Sequence, residues 1–334
     1  MPTLSERIAS TSRALDERVN LKHVHRQLQA AARVLIVTTF LEDAFRVVIT
    51  FSVQQQSMRI AGWTTPFLHT FLPCLSFVVQ STGSLLIVLP GEGRRAEAGC
   101  HILLGWCVFH PFMYRQQTNW EFVLETLTIM GGLMILLSHY MLIGATAGAR
   151  AAVLPAKAVG PGPTAAGDPV AAKAHATQAA GRMMIVSVFI YYAFCNVHGY
   201  IARSLAELEG SDWVTPVAQG LMIVALLYAC SLVIVGIKSR WVALLLAALM
   251  FCSAVYLHPF WIYIFSTKTY RMEGVAHMEG FEVDAFTMQD HQRYFFFQSM
   301  STVGALLLLV VHGPGKLSLD EQQGQLVLIT SHDA

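Results

Sequence analysis

The feature that most constrains this chain is a series of apolar runs of about the length that crosses a bilayer. Eight such runs lie at about 31–51, 66–90, 98–114, 121–143, 181–202, 213–237, 240–265 and 294–312. A helix needs about 20 apolar residues to span the hydrocarbon core. Only 13% of the residues are charged, whereas a soluble domain carries about 25%. The sequence therefore predicts an all-α integral membrane protein with about eight transmembrane helices.

Composition and motifs exclude several classes of function. The formal net charge of +1 provides no basic footprint for nucleic acid. The chain has no nucleophile elbow, phosphate loop or zinc-protease motif, so we expect no enzyme and no catalytic residue. The six cysteines lie within the apolar runs without a Cys-x-x-Cys pair, which is typical of small core residues. We therefore expect neither a metal nor a cofactor.

The two halves of the chain repeat one pattern. The His-Pro-Phe stretch that begins at His110 recurs at His258, 148 residues later, and Gly131 recurs as Gly304, 173 residues later. A single insertion at 267–293 accounts for the longer offset. Since each copy has four spans, an even number, both copies face the same way. The pattern predicts two parallel four-helix repeats, in which the prolines kink or end the third span.

The distribution of Lys and Arg predicts the orientation. Fifteen of them lie on the side that holds both termini and six on the other side. The positive-inside rule therefore places both termini in the cytosol, or in the matrix if the protein is mitochondrial. The predicted organisation is a cytosolic N-terminal segment at 1–30, a first repeat at 31–143, an Ala/Gly/Pro linker at 144–179, a second repeat at 180–312 with a lumenal insertion at 267–293, and a cytosolic tail at 313–334.

The first span carries an unusual polar cluster, formed by Glu42, Asp43 and Arg46. Charged groups in hydrocarbon are costly, so they are expected to face the bundle interior or water. Glu42 and Arg46 are four residues apart and can pair on one helix face. The cluster is either a binding or gating site or an internal ion pair that only stabilises the fold.

The two repeat-related histidines, His110 and His258, raise a second question. Bis-histidine haem ligation needs one histidine from each of two facing helices, and these two lie at equivalent positions of equivalent spans. However, each precedes a proline at a span end, where an interfacial polar residue is ordinary. We therefore expect no bound cofactor, and haem or quinone chemistry is only the minor alternative.

Several stretches resemble the surfeit locus protein 4 family, in order along about two-thirds of the chain. They are Thr39-Phe40-Leu41-Glu42-Asp43 with Arg46, Gly181-Arg182, Gly220-Leu221-Met222-Ile223, Gly236-Ile237-Lys238-Ser239, Phe260-Trp261 and the closing stretch Phe295–Glu321. The resemblance implies a polytopic receptor that moves soluble secretory proteins from the endoplasmic reticulum to the Golgi. Its implied partners are membrane lipids, secretory cargo and vesicle coat proteins, and the Glu42, Asp43 and Arg46 cluster is its candidate binding site.

The chain also departs from the family pattern. A lysine-rich retrieval signal is usual in family tails, whereas Lys316 is the only lysine in this tail. The linker and the acidic insertion are additions. These departures leave an alternative open: a non-catalytic accessory or scaffold subunit of a large organellar complex, such as a respiratory complex of the mitochondrial inner membrane. The resemblance itself implies the endoplasmic reticulum membrane, with cycling to the early Golgi.

Overall fold

The computed structural model describes residues 21–89, 93–153, 169–195, 214–271 and 281–320, and most of them are helical. The helices are α1 Leu21–Ile36, α2 Thr38–Ile49, α3 Phe51–Ile60, α4 Pro66–Val88, α5 Gly93–Met113, α6 Trp120–Val153, α7 Pro169–Ile185, α8 Val214–Val235, α9 Ser239–Leu257 and α10 Ala285–His312. The short strands β1 Tyr270–Arg271 and β2 Glu282–Val283 pair antiparallel. Helices dominate because a backbone in hydrocarbon has to satisfy its polar groups within its own segment.

Six helical segments of the described chain are long and apolar enough to cross a membrane. They are Pro66–Val88, Trp120–Ala145, Pro169–Cys195, Val217–Val235, Ser239–Tyr263 and Ala285–His312. They match six of the eight predicted spans. The first predicted span is instead broken into α1, α2 and α3, with interruptions at Val37 and Thr50. The third corresponds to α5, whose first turns carry Arg94, Arg95 and Glu97 and so lower its apolarity.

The structure redraws two predicted boundaries. Helix α6 continues to Val153 and α7 begins at Pro169, so both ends of the predicted linker are helical. Its middle, 154–168, lies outside the described residues. Helix α10 begins at Ala285, inside the predicted insertion, where the Asp284 carboxylate accepts a hydrogen bond from the Thr287 N–H at 3.2 Å. This N-cap lowers the pKa of Asp284 and starts the helix well before its apolar part.

Helix α10 lies at the centre of the bundle and α8 at its edge. In the apolar window of α10, 67% of the residues are buried, against 17% in that of α8. Helix α10 packs against α1, α2, α6 and α9. Its polar first turns are mostly half-buried. Helix α8 instead presents most of its apolar surface outward, as a lipid-facing helix does.

Glycines allow two close helix contacts. At Gly131 a Cβ atom would lie 2.5 Å from the carbonyl oxygen of Gly181, where α6 meets α7. At Gly304 it would lie 2.8 Å from the carbonyl carbon of Leu35, where α10 meets α1. Small residues at such positions let helix backbones approach each other in membranes. Both helix contacts therefore depend on glycine, which has no side chain.

Each of these two helix contacts also contains a pair of hydroxyl groups beside the glycine, and the two pairs are alike. The Thr128 and Ser187 hydroxyl oxygens are 3.1 Å apart, and those of Thr38 and Ser301 are 3.2 Å apart. In the first pair the backbone N–H of the residue after Ser187 donates to Thr128 at 3.2 Å. In the second the N–H of the residue after Thr38 donates to Ser301 at 3.0 Å. Two separate helix contacts thus use one hydrogen-bond pattern.

We expect Gly304→Ala to lower the stability of the folded protein by about 1–3 kcal/mol, because the methyl group overpacks the α10–α1 contact. Gly105→Ala on α5 is the matched control, since a Cβ atom there has no neighbour within 4 Å. In the control we expect no loss, or a gain of up to about 1 kcal/mol from helix propensity. Thermal unfolding in detergent compares the two variants. Equal stability of both would contradict the close contact.

Candidate functional site

The predicted polar cluster is buried where α2 faces α4 and α10. Glu42 and Asp43 are each 6% exposed. Asp43 pairs with Arg46, three residues along the same helix, at 2.5 Å, and it accepts a hydrogen bond from Gln80 of α4 at 2.6 Å. The expected pairing of Glu42 with Arg46 is not formed, because the Asp43 carboxylate occupies the Arg46 guanidinium.

Glu42 instead pairs with α10. The Arg293 Nε donates to Glu42 at 2.9 Å and its Nη2 donates to Asp290 at 2.7 Å. Asp290 also lies 3.9 Å from Arg46. Five charged groups thereby form one network between two helices that are about 250 residues apart in sequence, and the structure brings all three predicted site residues into it.

Sequence reasoning missed Asp290 and Arg293, because it assigned them to the lumenal insertion. A usable signal was present. The two residues are three positions apart, as partners on one helix face are, and they directly precede the apolar run of the last span. Polar residues in that position can form the first turns of a transmembrane helix when they face protein and not lipid.

An open cavity of about 570 Å³ lies beside this network, between the ends of α2 and α5 and the beginnings of α6 and α10. We call it the charged cavity. Its lining includes Arg46, His110, Tyr114, Glu121, Glu125 and Asp290. A smaller chamber of about 40 Å³ continues inward past Asp43, Gln80 and His110. The charged cavity opens at the end of the bundle that the Lys and Arg distribution predicts to be lumenal.

Glu125 is a further buried carboxylate that sequence reasoning did not single out. It is 6% exposed, lines the charged cavity, and accepts a hydrogen bond from the Tyr192 hydroxyl at 2.9 Å. It lies in the apolar stretch Leu124–His139, and this position was the available signal, because an ionisable residue within a span marks a functional site by default.

The two repeat-related histidines do not face one cavity. His110 lines the charged cavity and its inner chamber, between the rings of Trp106 and Phe122. His258 lies outside both linings, with its Nδ1 atom 2.9 Å from Gln292 and its ring stacked on Phe295. Haem ligation requires two histidines on opposite faces of one site, and this arrangement does not supply it.

Three buried polar atoms at the site have no hydrogen-bond partner among the described residues. They are the second carboxylate oxygen of Glu42, the Nε of Arg46 and the Nε2 of His110. A buried polar group without a partner costs about 1–3 kcal/mol, so such groups are rare unless a water or ligand serves them. Of the three, the atoms of Arg46 and His110 belong to residues that line the charged cavity, where a polar ligand can engage them.

A second polar constellation lies at the opposite end of the bundle. Residues 313–320, which we call the strap, run across this end after α10. The buried Arg182 side chain donates to the carbonyl oxygens of Pro314 at 2.8 Å and Leu317 at 2.9 Å. Gln178 donates to the carbonyl oxygen of Gly313 at 3.0 Å. Helix α7 thus holds the backbone of the strap directly.

The far end of the strap is bound to the turn between α8 and α9. The Asp320 carboxylate accepts from the backbone N–H groups of Lys238 at 2.9 Å and Ser239 at 3.2 Å, and the Asp320 N–H donates to the Gly236 carbonyl at 3.0 Å. Gly236 has a positive φ of 80°, which favours glycine. Three separate sequence motifs, Gly181-Arg182, Gly236–Ser239 and the closing stretch, therefore belong to one contact.

Known proteins and one protein family match this chain over nearly its whole length. The model of the SURF4 family matches residues 6–273 and 280–325. The Surfeit locus protein 4 homolog of Schizosaccharomyces pombe is 28% identical over 295 residues, which cover 87% of this chain and 80% of that protein. The Drosophila melanogaster homolog of the same name is 24% identical, with 89% and 90% covered.

A third relative carries a different name. The ER-derived vesicles protein ERV29 of Saccharomyces cerevisiae is 24% identical over 321 residues, which cover 95% of this chain and 84% of that protein. No solved structure matches the chain. The residues that the family model matches include those that line the charged cavity and those of the strap.

Proposed function

The chain belongs to the SURF4 family, and from this membership we propose that it is a membrane cargo receptor, which exports soluble secretory proteins from the endoplasmic reticulum to the Golgi. The name of ERV29 places that relative in vesicles derived from the endoplasmic reticulum. Membrane-crossing helices and such a relative support a role in vesicle transport from the endoplasmic reticulum. The proposed receptor cycles between this membrane and the early Golgi.

The single structural observation that supports a receptor is the charged cavity. It opens between helices at one end of the bundle and offers donors, acceptors and aromatic rings without a catalytic constellation. Ligand sites are typically concave, with a few polar groups that fix orientation. We assign this end to the lumen, where cargo resides, and the strap end to the cytosol, where coat proteins assemble. The role is binding and not catalysis.

We also propose that the fold is a duplication of a four-helix unit. The paired contacts of Gly131 and Gly304, and the matching hydroxyl pairs beside them, involve residues at the offsets expected from the sequence repeat. His139 and His312, another pair at the same offset of 173, lie ring to ring at 4.0 Å. The polar cluster has diverged between the copies, since the residue aligned with Asp43 is Tyr192.

The test of the receptor role is secretion in the native cell. We expect deletion of the gene to retain a subset of soluble secretory proteins in the endoplasmic reticulum, and the wild-type chain to restore their export. In the same cells, Gln116→Trp is expected to reduce export at least about threefold, because the indole fills the mouth of the charged cavity that Gln116 lines. Quantitative mass spectrometry of the medium and of isolated microsomes measures the distribution.

The neighbouring variant Gln117→Trp is the matched control. Gln117 is also exposed but does not line the charged cavity, so its replacement should leave export unchanged. Equal effects of the two variants, or normal secretion in the deleted strain, would contradict the receptor role. Co-purification of a stoichiometric set of respiratory subunits in mild detergent would favour the scaffold alternative instead.

A further inference from the structure

The charges that line the cavity are unbalanced. Three carboxylates, those of Glu121, Glu125 and Asp290, face one guanidinium, that of Arg46. Behind the lining, Asp43 and Glu42 add two carboxylates and Arg293 adds one guanidinium. The combined set of seven groups carries three more carboxylates than guanidinium groups. Two imidazoles, of His110 and His291, also line the cavity and add no negative charge.

The excess of carboxylates is concentrated on α6. Asp43 and Glu42 each have a guanidinium within 3 Å, and Asp290 lies between Arg46 and Arg293. In contrast, no described Lys or Arg forms an ion pair with Glu121 or Glu125. The hydrogen bond from the Tyr192 hydroxyl is a neutral contact, so Glu125 has a partner but no countercharge.

The aromatic wall of the cavity suits a cation. The Arg46 guanidinium carbon lies 5.3 Å from the centre of the Tyr294 ring, which is within the range of a cation–π contact. The contact between Arg46 and Asp290 is the longest of the ion-pair network, at 3.9 Å. A second cation that enters from the mouth can therefore approach Asp290 and Glu125 without breaking the tight pair between Arg46 and Asp43.

We propose that the charged cavity selects a cationic group of its ligand, the ammonium or guanidinium of an extended peptide segment, with Glu125 and Glu121 as the residues that determine this preference. The inference rests on the proposed receptor function and specifies the chemistry of its cargo site. The attraction is strong here because a partly buried site screens charges far less than bulk water does. An anionic segment would meet three lining carboxylates and one arginine that is already paired.

The test uses the full-length protein in lipid nanodiscs and five-residue peptide amides with a fluorophore at the carboxyl end. The side-chain probe is acetylated Ala-Leu-Lys-Leu-Ala, and the amino-terminal probe is Ala-Leu-norleucine-Leu-Ala with a free amino group. The neutral and acidic controls are the acetylated peptides with norleucine or glutamate at the centre. Fluorescence anisotropy gives the four affinities. The two cationic probes distinguish a basic side chain from a chain terminus as the source of the charge.

We expect at least one cationic probe to bind about tenfold or more tighter than both control peptides. In the double variant Glu121→Gln/Glu125→Gln, the cationic and control peptides should bind with nearly equal affinity. Glutamine fits at position 125, because Gln298 occupies the repeat-related position and is 6% exposed. Glu97→Gln makes the same change on α5, outside the charged cavity, and should keep the preference. Size-exclusion profiles confirm that each variant is folded.

Equal binding of the neutral and cationic probes, tighter binding of the acidic probe, or no binding of any probe would overturn the inference. A preference that survives the double substitution would also overturn it, since the selecting groups would then lie elsewhere. The receptor role is decided separately by the export assay with Gln116→Trp. A cavity that serves export without preferring cations would therefore remove this inference and leave the proposed function standing.

Discussion

Replacing Arg46 by methionine is expected to destabilise the folded protein by about 3–5 kcal/mol, the usual cost of removing one partner of a buried ion pair. Asp43, 6% exposed, would keep its hydrogen bond from Gln80 but lose its countercharge. Asp290 would lose one of its two arginines. The midpoint of thermal unfolding in detergent, monitored by size-exclusion chromatography, should fall. Secretory export should also be lost.

The double variant Asp43→Asn/Arg46→Met tests the physical reason. It removes both charges, so Asp43 is no longer a buried carboxylate without its countercharge, and we expect it to be more stable than Arg46→Met alone. Arg59→Met is the matched control, since Arg59 is exposed on α3 and forms no ion pair among the described residues. A double variant that is no more stable than the single one would show that Arg46 contributes by packing and not by charge.

The second large effect is expected at the strap. Arg182→Met removes two hydrogen bonds to strap carbonyls, and buried carbonyl groups without donors each cost about 1–3 kcal/mol. We therefore expect the strap to leave the bundle. Ser318 is 2% exposed, so a cysteine placed there should resist a membrane-impermeant maleimide in the otherwise native chain and react at least about tenfold faster when Arg182 is replaced.

Two features keep the labelling experiment specific. The native cysteines all lie in helices of the bundle, so a water-soluble reagent reports mainly on the introduced thiol. Lys173→Met, an exposed position of α7, controls for the loss of a positive charge at this end. Protection of the cysteine in both arginine and lysine variants would mean that the hydrogen bonds of Gln178 and Asp320 hold the strap without Arg182.

Much of the architecture could be predicted from local sequence. Apolar runs of bilayer length predicted six helices that the structure confirms as long and apolar enough to span. Pro259 also has the expected effect, since α9 ends at Leu257 before it, whereas α5 continues past Pro111 to Met113. The family resemblance, which rests on short ordered motifs, is shown by the family match. The first and third predicted spans are not among these six, since the first is interrupted at Val37 and Thr50 and the third carries charges in its first turns.

The same reasoning predicted only part of the candidate site. Glu42, Asp43 and Arg46 attracted attention because charge in an apolar run is costly. Their true partners are Gln80, Asp290 and Arg293, and no local pattern connects these with α2. The boundary of α10 was wrong for a related reason: a helix inside a bundle can be polar where it faces protein, and hydropathy alone cannot distinguish that from a loop.

Local sequence was enough to predict the membrane class, most of the helices, the family and the presence of a charged cluster, because each follows from composition or from residues close together in the chain. The packed helices were needed to show which charges pair, that Glu125 faces a cavity, and that three distant motifs meet at the strap. These depend on which helix faces are placed against each other. Side-chain charge and size act over a few ångströms, so pairings between residues 132 or 251 positions apart exist only once the chain has packed.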